Sequence, residues 1–232
     1  MDAAIVTGAS SGLGLEIARL LEARGLAVVG VSRRSPHPLF EHPLPAARGE
    51  GPRSGGEGSF AALLGDASRV ETATAALAAA RGKGDLRLLV NCAGIGIFGP
   101  AGSYDEDAIR TVIDANLIST IVFCDAVFPL MKEGGGGTIV NVLSTAALVG
   151  KPNETVYCAA KWGARGYTEA LRAEAKGTGV RVIAAAPGGM RTPFWPEERA
   201  GFMEPAEVAK VIVDAVFAKV AVTEIVIQRV SS

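Results

Sequence analysis

The order of its apolar runs is the feature that most restricts how this chain can fold. Short runs rich in valine, leucine and isoleucine alternate with longer segments that carry apolar residues at helical spacing. This alternation is typical of a parallel sheet whose strands are joined by crossover helices. Because the runs are almost continuously hydrophobic, we expect both faces of the sheet to be covered. The sequence thus predicts an α/β fold: a doubly wound, seven-stranded parallel sheet with helices on both faces.

The runs also give the expected positions of the elements. Strands are predicted over Ala3–Thr7, Leu26–Ser32, Phe60–Gly65, Leu86–Asn91, Thr138–Ser144, Val180–Ala186 and Glu224–Arg229. Helices are predicted over Gly12–Arg24, Ser68–Arg81, Asp105–Met131, Glu154–Ala175 and Pro205–Ala218. A length of 232 residues suits one such domain, so we expect residues 1–232 to form a single unit.

One tract departs from this alternation. Ser35–Ser59 holds five prolines and five glycines in 25 residues, which oppose regular helix. Parallel strands are usually joined by a crossover that carries a helix. We expect a loop here in place of that helix, and no second domain.

Charge and hydropathy exclude several classes of protein. The chain has 23 basic and 24 acidic residues, a net charge of -1, so it lacks the positive field that binds nucleic acid or attracts an anionic membrane. The most apolar window, Val112–Met131, is interrupted by Asp114, Asn116 and Asp125, and we expect no membrane-spanning helix. The start of the chain lacks the basic residues of a secretory signal.

The few cysteines and histidines narrow the chemistry. Three cysteines, Cys92, Cys124 and Cys158, lack metal-ligand spacing and are typical of reduced thiols in a cytoplasmic protein. The two histidines, His37 and His42, both lie in the Pro/Gly-rich tract. We therefore expect neither a metal site nor catalysis by histidine.

A glycine-rich turn follows the first predicted strand and opens the first helix. Its sequence is Thr7-Gly8-Ala9-Ser10-Ser11-Gly12-Leu13-Gly14. Glycines at these spacings allow a sharp turn and let a pyrophosphate approach the backbone, while the helix start supplies N–H donors. A ligand-free strand-to-helix turn is the alternative. The predicted dinucleotide contacts are Gly8, Ser10, Ser11, Gly12, Leu13 and Gly14.

A second group of residues carries acid/base chemistry. Tyr157 and Lys161 are four residues apart on a predicted helix, and Ser144 ends a strand at the edge where α/β sheets bind ligands. An ammonium near a phenol favours the phenolate, so we expect a lowered pKa for Tyr157. The serine hydroxyl can hold a substrate oxygen. Tyrosine and lysine at this spacing also occur by accident on amphipathic helices.

Taken together, these motifs closely resemble the classical short-chain dehydrogenase/reductase family. The resemblance adds Asn91-Cys92-Ala93-Gly94 after the fourth strand, Asn116 in the next helix, and Pro187-Gly188 with Thr192 after the sixth. Ser144 and Tyr157 are separated by the family's thirteen positions. The similarity covers essentially the whole chain and is weakest over residues 35–59. It implies a Rossmann fold that binds a nicotinamide cofactor.

The resemblance also implies a catalytic role for four residues. Tyr157 would be the general acid/base, Lys161 would bind the nicotinamide ribose and depress the pKa of the tyrosine, and Ser144 would orient the carbonyl. Asn116 would anchor a water-linked proton relay. Because all four are present, an active oxidoreductase that interconverts carbonyls and secondary alcohols is favoured. The alternative is a non-catalytic module that senses NADP(H).

Further cofactor contacts follow from the same resemblance. Asp66, Ala67, Asn91, Ala93 and Gly94 would lie near the adenosine, and Pro187, Gly188 and Thr192 near the nicotinamide. Two of these have structural alternatives. Asn91 is equally suited to supporting the sheet, and Asp66 to capping the following helix.

The end of the second strand bears on the choice of cofactor. A carboxylate there would bind the ribose hydroxyls of NAD, whereas arginine can bind the 2′-phosphate of NADP. The sequence reads Ser32-Arg33-Arg34, with no acid before Glu41. We therefore expect NADP(H) rather than NAD(H), with a solvated basic turn as the alternative.

The substrate is expected to be an uncharged or hydrophobic carbonyl compound. By resemblance it would meet mostly apolar positions, although core packing is the alternative for each of them. These positions are Ile95, Ile97, Phe98, Thr145, Ala146, Leu148, Val149, Phe194 and Trp195. Arg191 and Arg199 suit a solvated loop better than a substrate acid.

The end of the chain bears on assembly. Many family members end in a glycine pair that packs in a tetramer, and Glu224–Ser232 lacks it. A homodimer through the helices Asp105–Met131 and Glu154–Ala175 is therefore expected, and a homotetramer is less so.

Overall fold

A computed structural model of the chain describes residues 1–34, 60–195 and 201–230. Within them, seven strands pair in parallel in the order β3-β2-β1-β4-β5-β6-β7. The strands are β1 (Asp2–Thr7), β2 (Ala27–Ser32), β3 (Phe60–Leu64), β4 (Asp85–Asn91), β5 (Gly137–Val142), β6 (Val180–Pro187) and β7 (Glu224–Ile227). The predicted doubly wound parallel sheet is confirmed. The predicted Pro/Gly-rich loop over 35–59 lies outside the described residues.

The described residues form six α-helices, and five of them cover the two faces of this sheet. The six helices are α1 (Gly12–Ala23), α2 (Val70–Arg81), α3 (Glu106–Ile113), α4 (Ser119–Glu133), α5 (Thr155–Glu174) and α6 (Pro205–Val216). Helices α1 and α6 pack on one face, and α2, α4 and α5 pack on the other. In β1, Ala4 and Val6 enter the first layer of core while Ala3 and Ile5 enter the second. Burial on both faces explains why the strands are continuously hydrophobic.

The predicted helix Asp105–Met131 differs from the structure in its interior. It consists of α3, a π-helical turn at Asp114–Ile118, and α4. Asp105 lies before the helix as its cap and accepts a hydrogen bond from the Ala108 N–H at 2.7 Å. Asn116 lies in the π turn, and its Nδ2 donates to the Ile95 carbonyl at 2.8 Å and to the Val112 carbonyl at 2.9 Å. The wider turn thus accompanies a side-chain bond to a distant loop.

The joined helix Glu106–Glu133 also bears on the expectation that no membrane span exists. By length and composition alone it is long and apolar enough to cross a membrane, with a mean hydropathy of 1.6 over its most apolar window, contrary to that expectation. The core helix of a soluble protein meets the same criterion. Here Phe123, Val127 and Met131 are buried in the core against the sheet.

The carboxyl ends of the strands meet where the strand order reverses. Thr7, the last residue of β1, is level with Val31 in β2 and Asn91 in β4. The chain turns to β2 and β3 on one side of β1 and to β4 through β7 on the other. A crevice at such a switch point is where open α/β sheets bind ligands.

Candidate active site

A cleft of about 540 Å³ lies at this edge of the sheet. Its walls come from the β1–α1 turn, the loops after β2, β3, β4 and β6, the π turn, and the segment from β5 to α5. Every predicted site residue except Asn91 lines it. These residues are Gly8, Ser10, Ser11, Gly12, Leu13, Gly14, Arg33, Arg34, Asp66, Ala67, Ala93, Gly94, Asn116, Ser144, Tyr157, Lys161, Pro187, Gly188 and Thr192.

The glycine-rich turn requires its glycines for packing. Gly8 and Gly12 have φ of 72° and 56°, the left-handed region that side chains disfavour. A Cβ on Gly14 would lie 2.4 Å from the Gly8 carbonyl oxygen. Within the described chain, no side chain caps α1 and no acid lies in its first turn. The N–H groups and partial positive charge of this helix start therefore suit a phosphate.

The β2 side of the cleft carries opposite charges. Arg33 and Arg34 are exposed, and the Ser32 hydroxyl donates to the Arg34 carbonyl. The Asp66 carboxylate accepts from the N–H and the hydroxyl of Ser68, at 2.9 and 2.8 Å. These bonds, with a contribution from Arg33, lower the pKa of Asp66. Because α2 begins only at Val70, Asp66 stabilises the turn before the helix and does not cap it.

Asn91 lies behind the cleft in a buried polar cluster. Its Nδ2 donates to the Asn141 Oδ1 at 2.9 Å and to the Cys124 Sγ at 3.2 Å. Asn141 in turn donates to the Thr168 hydroxyl at 2.9 Å. This placement fits the alternative of structural support that the sequence left open.

Ser144, Tyr157 and Lys161 come together on the opposite wall. The predicted strand end at Ser144 is wrong, because β5 ends at Val142 and Ser144 caps a single 3₁₀ turn, Thr145–Ala147. Its hydroxyl accepts from the Ala146 N–H at 3.1 Å and lies close enough to the Tyr157 phenol to lower its pKa. Tyr157 and Lys161 are buried on α5, and the Lys161 ammonium donates to the Val142 carbonyl at 3.0 Å.

The expected lowering of the Tyr157 pKa is wrong for this structure. Burial raises the pKa of Tyr157 above its ordinary range, and the hydrogen bond from Ser144 only partly opposes it. Burial also lowers the pKa of Lys161, to about 8. Desolvation disfavours the charged form of both groups. The Lys161 ammonium, which donates to the Val142 carbonyl, lies 5.9 Å from the centroid of the Tyr157 ring.

Asn116 faces this pair from the π turn. Its Oδ1 is buried and has no hydrogen-bond partner among the described residues. A Cβ on Gly94 would lie 2.6 Å from this oxygen and 3.7 Å from the Lys161 Nζ. The bare glycine thus leaves a small polar cradle between an acceptor and an ammonium. Together with the uncapped start of α1, this cradle fits the hydroxyl and phosphate groups of a dinucleotide.

Aromatic side chains form an apolar wall beside Tyr157. Phe98 stacks on Trp195 at 5.0 Å between centroids, and Phe194 lies 5.5 Å from the Tyr157 ring. Of the apolar positions expected to meet substrate, Ile95, Phe194 and Trp195 line the cleft. The others lie outside that lining, and Val149 is exposed to solvent. For Ala146 and Leu148 the packing alternative describes the structure, since both contact hydrophobic core.

Several lining residues are absent from the sequence-based prediction. They include Val31, Ser32, Gly65, Cys92, Gly96, Thr111, Asp114, Ala115, Ser119, Val142, Leu143, Lys151, Gly189, Met190 and Pro193. Most flank predicted residues, so neighbouring motifs could have indicated them. Lys151 is different, because it lies in the loop before α5 and no motif marks it.

Arg191 and Cys92 add no reactive group to the cleft. Arg191 is exposed and pairs with Glu204 at 2.6 Å, while Arg199 lies outside the described residues. Burial raises the pKa of the Cys92 thiol to about 12. Over residues 1–34, 60–195 and 201–230, no three His, Cys, Asp or Glu side chains gather as metal ligands.

Comparison with known proteins agrees with this geometry. Residues 2–201 match the short chain dehydrogenase family. The chain is 36% identical over 184 residues to D-threitol dehydrogenase of Mycolicibacterium smegmatis, covering 79% of this chain and 68% of that protein. A short-chain dehydrogenase/reductase from Vibrio parahaemolyticus superposes with a TM-score of 0.80 at 31% identity, covering 98% of this chain and 100% of that one.

A third relative was solved with a cofactor. The short chain dehydrogenase from Burkholderia cenocepacia in complex with NADP has a TM-score of 0.79 and 28% identity, over 96% of this chain and 87% of that one. Sequence and fold agree, and the chain belongs to the short-chain dehydrogenase family.

Proposed function

We propose that the chain is an NADP(H)-dependent oxidoreductase that interconverts the carbonyl group of a hydrophobic ketone or aldehyde and the corresponding alcohol. The observation that carries this proposal is the convergence of Asn116, Ser144, Tyr157 and Lys161 on the same cleft as the glycine-rich turn. A non-catalytic NADP(H) sensor would need the turn but not these four side chains. The oxidoreductase is therefore the better account.

The roles of the chain's own groups follow from their contacts. When bound, the nicotinamide supplies or accepts a hydride. Ser144 and Tyr157, which line the same wall of the cleft, can both donate to a carbonyl oxygen. Because burial raises the pKa of Tyr157, its phenol stays protonated near neutral pH and serves as the proton donor for reduction. Alcohol oxidation needs the phenolate and should accelerate as pH rises.

Lys161 and Asn116 would hold the nicotinamide ribose. The Lys161 ammonium and the free Oδ1 of Asn116 flank the space that Gly94 leaves open. An ammonium donates to hydroxyl oxygens and an amide oxygen accepts from hydroxyl protons, so the pair suits a ribose or an ordered water. These groups would orient the cofactor beside Tyr157.

Replacing Tyr157 by Phe tests the proposed acid. We expect the variant to lose turnover of NADPH with carbonyl substrates by about 100-fold or more, since a positioned acid contributes that much. The dissociation constant for NADPH, measured by fluorescence of the bound nucleotide, should change little. Tyr167→Phe, the same change on α5 but outside the cleft lining, is the matched control. A Tyr157→Phe variant with normal rates would show that another group supplies the proton.

The preference for NADP(H) rests on charge after β2. Arg33 and Arg34 are exposed at the cleft, and residues 27–34 contain no acid to bind ribose hydroxyls. The Burkholderia relative in complex with NADP supports this proposal. Arginine binds phosphate through two parallel hydrogen bonds.

Replacing Arg33 and Arg34 together by Ala tests this preference. The dissociation constant for NADPH should rise about tenfold or more, as expected for lost charge-assisted hydrogen bonds, while that for NADH changes little. Isothermal titration calorimetry measures both constants. Arg81→Ala, an exposed arginine at the end of α2, is the control. Equal losses for the two nucleotides would refute the charge argument.

We further propose a cytoplasmic homodimer that forms through α4 and α5. The exposed face of α5 carries Ala159, Trp162 and Gly166 at helical spacing. Small residues beside one large aromatic suit the close approach of a second helix pair. Three free cysteines within the described residues are compatible with a reducing compartment.

A further inference from the structure

Lys151 is a cation in the cleft that the proposed mechanism does not use. It lies in the loop between the 3₁₀ turn and α5 and is half-buried. Its ammonium donates to the Thr145 hydroxyl at 2.9 Å, and Thr145 directly follows Ser144. Both Lys151 and Ser144 line the cleft. A positive charge is thus held close to the residue that would orient the carbonyl.

Within the part of the chain that the structure describes, no carboxylate forms an ion pair with the Lys151 ammonium. Lys151 forms none of the ion pairs found there, and its hydrogen bond to Thr145 is to a neutral hydroxyl. Arg191 was another basic residue considered as a partner for a substrate acid. It lies outside the cleft lining and pairs with Glu204. A half-buried ammonium with spare donors favours an anionic ligand.

The loop that carries Lys151 is fixed to the opposite side of the substrate region. The Tyr104 hydroxyl lies 3.0 Å from both the Gly99 and Asn153 carbonyl oxygens, and the Gly99 N–H donates to the Asn153 carbonyl at 2.9 Å. These bonds join the segment after β4 to the segment that follows Lys151. The ammonium is therefore held in place before any ligand binds, which reduces the entropy lost on binding.

The apolar wall supplies the other half of the recognition. Phe98 and Phe194 pack beside Tyr157, and Trp195 stacks on Phe98. Phe194 and Trp195 line the cleft. Flat aromatic surfaces of this kind contact a ring or a branched alkyl body. Apolar surface and the Lys151 ammonium near Ser144 together select an amphipathic molecule.

We propose that the substrate is an apolar carbonyl compound, with a ring or a branched body, that carries a carboxylate, and that Lys151 binds this carboxylate. The inference rests on the proposed function and refines its substrate class. In reduction, the carbonyl carbon takes the hydride of NADPH and the carbonyl oxygen takes the Tyr157 proton. The products are the hydroxy acid and NADP⁺, the carboxylate is unchanged, and a proton from solvent restores the Tyr157 phenol. Lys151 is a specificity residue that takes no part in the proton transfer.

A matched pair of aldehydes tests the role of Lys151. The probes are 4-carboxybenzaldehyde and its methyl ester, which differ in charge but share the ring and the reacting group. For the wild type, we expect kcat/KM for the acid to exceed that for the ester by about tenfold or more, the usual effect of a charge-assisted hydrogen bond. In Lys151→Met this ratio should fall to about one, and in Lys151→Arg the preference should be largely retained. Lys176→Met, an exposed lysine after α5, should keep the wild-type ratio.

Three outcomes would overturn this inference. The inference is overturned if the wild type favours the ester or reduces both aldehydes equally well. It is also overturned if Lys151→Met loses activity while the ratio of kcat/KM for the acid to that for the ester is unchanged. If neither aldehyde is reduced, titration of the enzyme–NADPH complex with each, followed by nucleotide fluorescence, decides. If the acid binds more tightly than the ester and Lys151→Met loses this preference, the inference is supported. The absence of reduction then counts only against the proposed reaction. Equal or absent binding of the acid overturns it.

Discussion

Burial governs the chemistry of single residues at this site. Tyr157 and Lys161 are both almost fully buried, and desolvation moves the pKa of each toward its neutral form. The spacing of the two residues indicated that they share a face of α5. It could not indicate the burial, because Phe98 and Phe194 reach Tyr157 from segments far away in the sequence.

The buried ammonium of Lys161 should make stability depend on pH. Its pKa is about 8 in the folded chain and 10.5 ordinarily, so between these values the unfolded chain binds more protons and the free energy of unfolding rises with pH. We expect the free energy of unfolding of the wild type, minus that of Lys161→Met, to increase by about 2 kcal/mol from pH 7 to pH 10. Urea unfolding of the cofactor-free proteins measures this difference. Neutral lysine can still donate to the Val142 carbonyl, so the pH-dependent part isolates the charge. Lys176→Met should show no such trend, and parallel curves for wild type and Lys161→Met would contradict the prediction.

A helix, strand or turn could be predicted from the sequence where its own residues determine its structure. The parallel strands appear in the sequence as continuous apolar runs, and the turn into α1 is marked by glycines whose Cβ atoms would collide with backbone or Thr192. The π turn was not predictable, because it accompanies bonds from Asn116 to Ile95, 21 residues away. Lys151 was missed for a related reason. A lysine in a loop has the composition of a solvated residue, and only the fold places it beside Ser144.

The buried polar cluster joins four elements, and its loss should be costly. Asn141 of β5 accepts from Asn91 of β4 and donates to Thr168 of α5, while Cys124 of α4 lies against both amides. Asn141→Leu removes these bonds and leaves buried polar groups short of partners. We expect a loss of about 2–3 kcal/mol in the free energy of unfolding, measured in urea. Thr74→Val, which removes one exposed bond on α2, is the control, and a loss no larger than the control's would contradict the assigned role.

The proposed dimer is a property of the whole molecule. Trp162 is 49% exposed near the middle of α5, where a second copy would cover it. A charge at the centre of such an interface is poorly solvated, so Trp162→Glu should raise the dimer dissociation constant about 30-fold or more. Sedimentation velocity measures the change. Phe217→Glu alters the exposed aromatic after α6 and should leave the dimer intact; if it dissociates the assembly instead, the interface lies on that face.

The cleft is complete only when both halves of the sheet are present. Its walls begin at Gly8 and end at Trp195, so segments from both halves of the sheet meet there. Cleavage of the chain at the exposed Gly134–Gly135 turn between α4 and β5 would leave the glycine-rich turn on one fragment and Tyr157 on the other. Neither piece holds a complete set of reacting groups, and only re-pairing of β4 with β5 would bring them together again. The chain has the layout of a split-enzyme reporter, in which turnover signals that two separately made pieces have met.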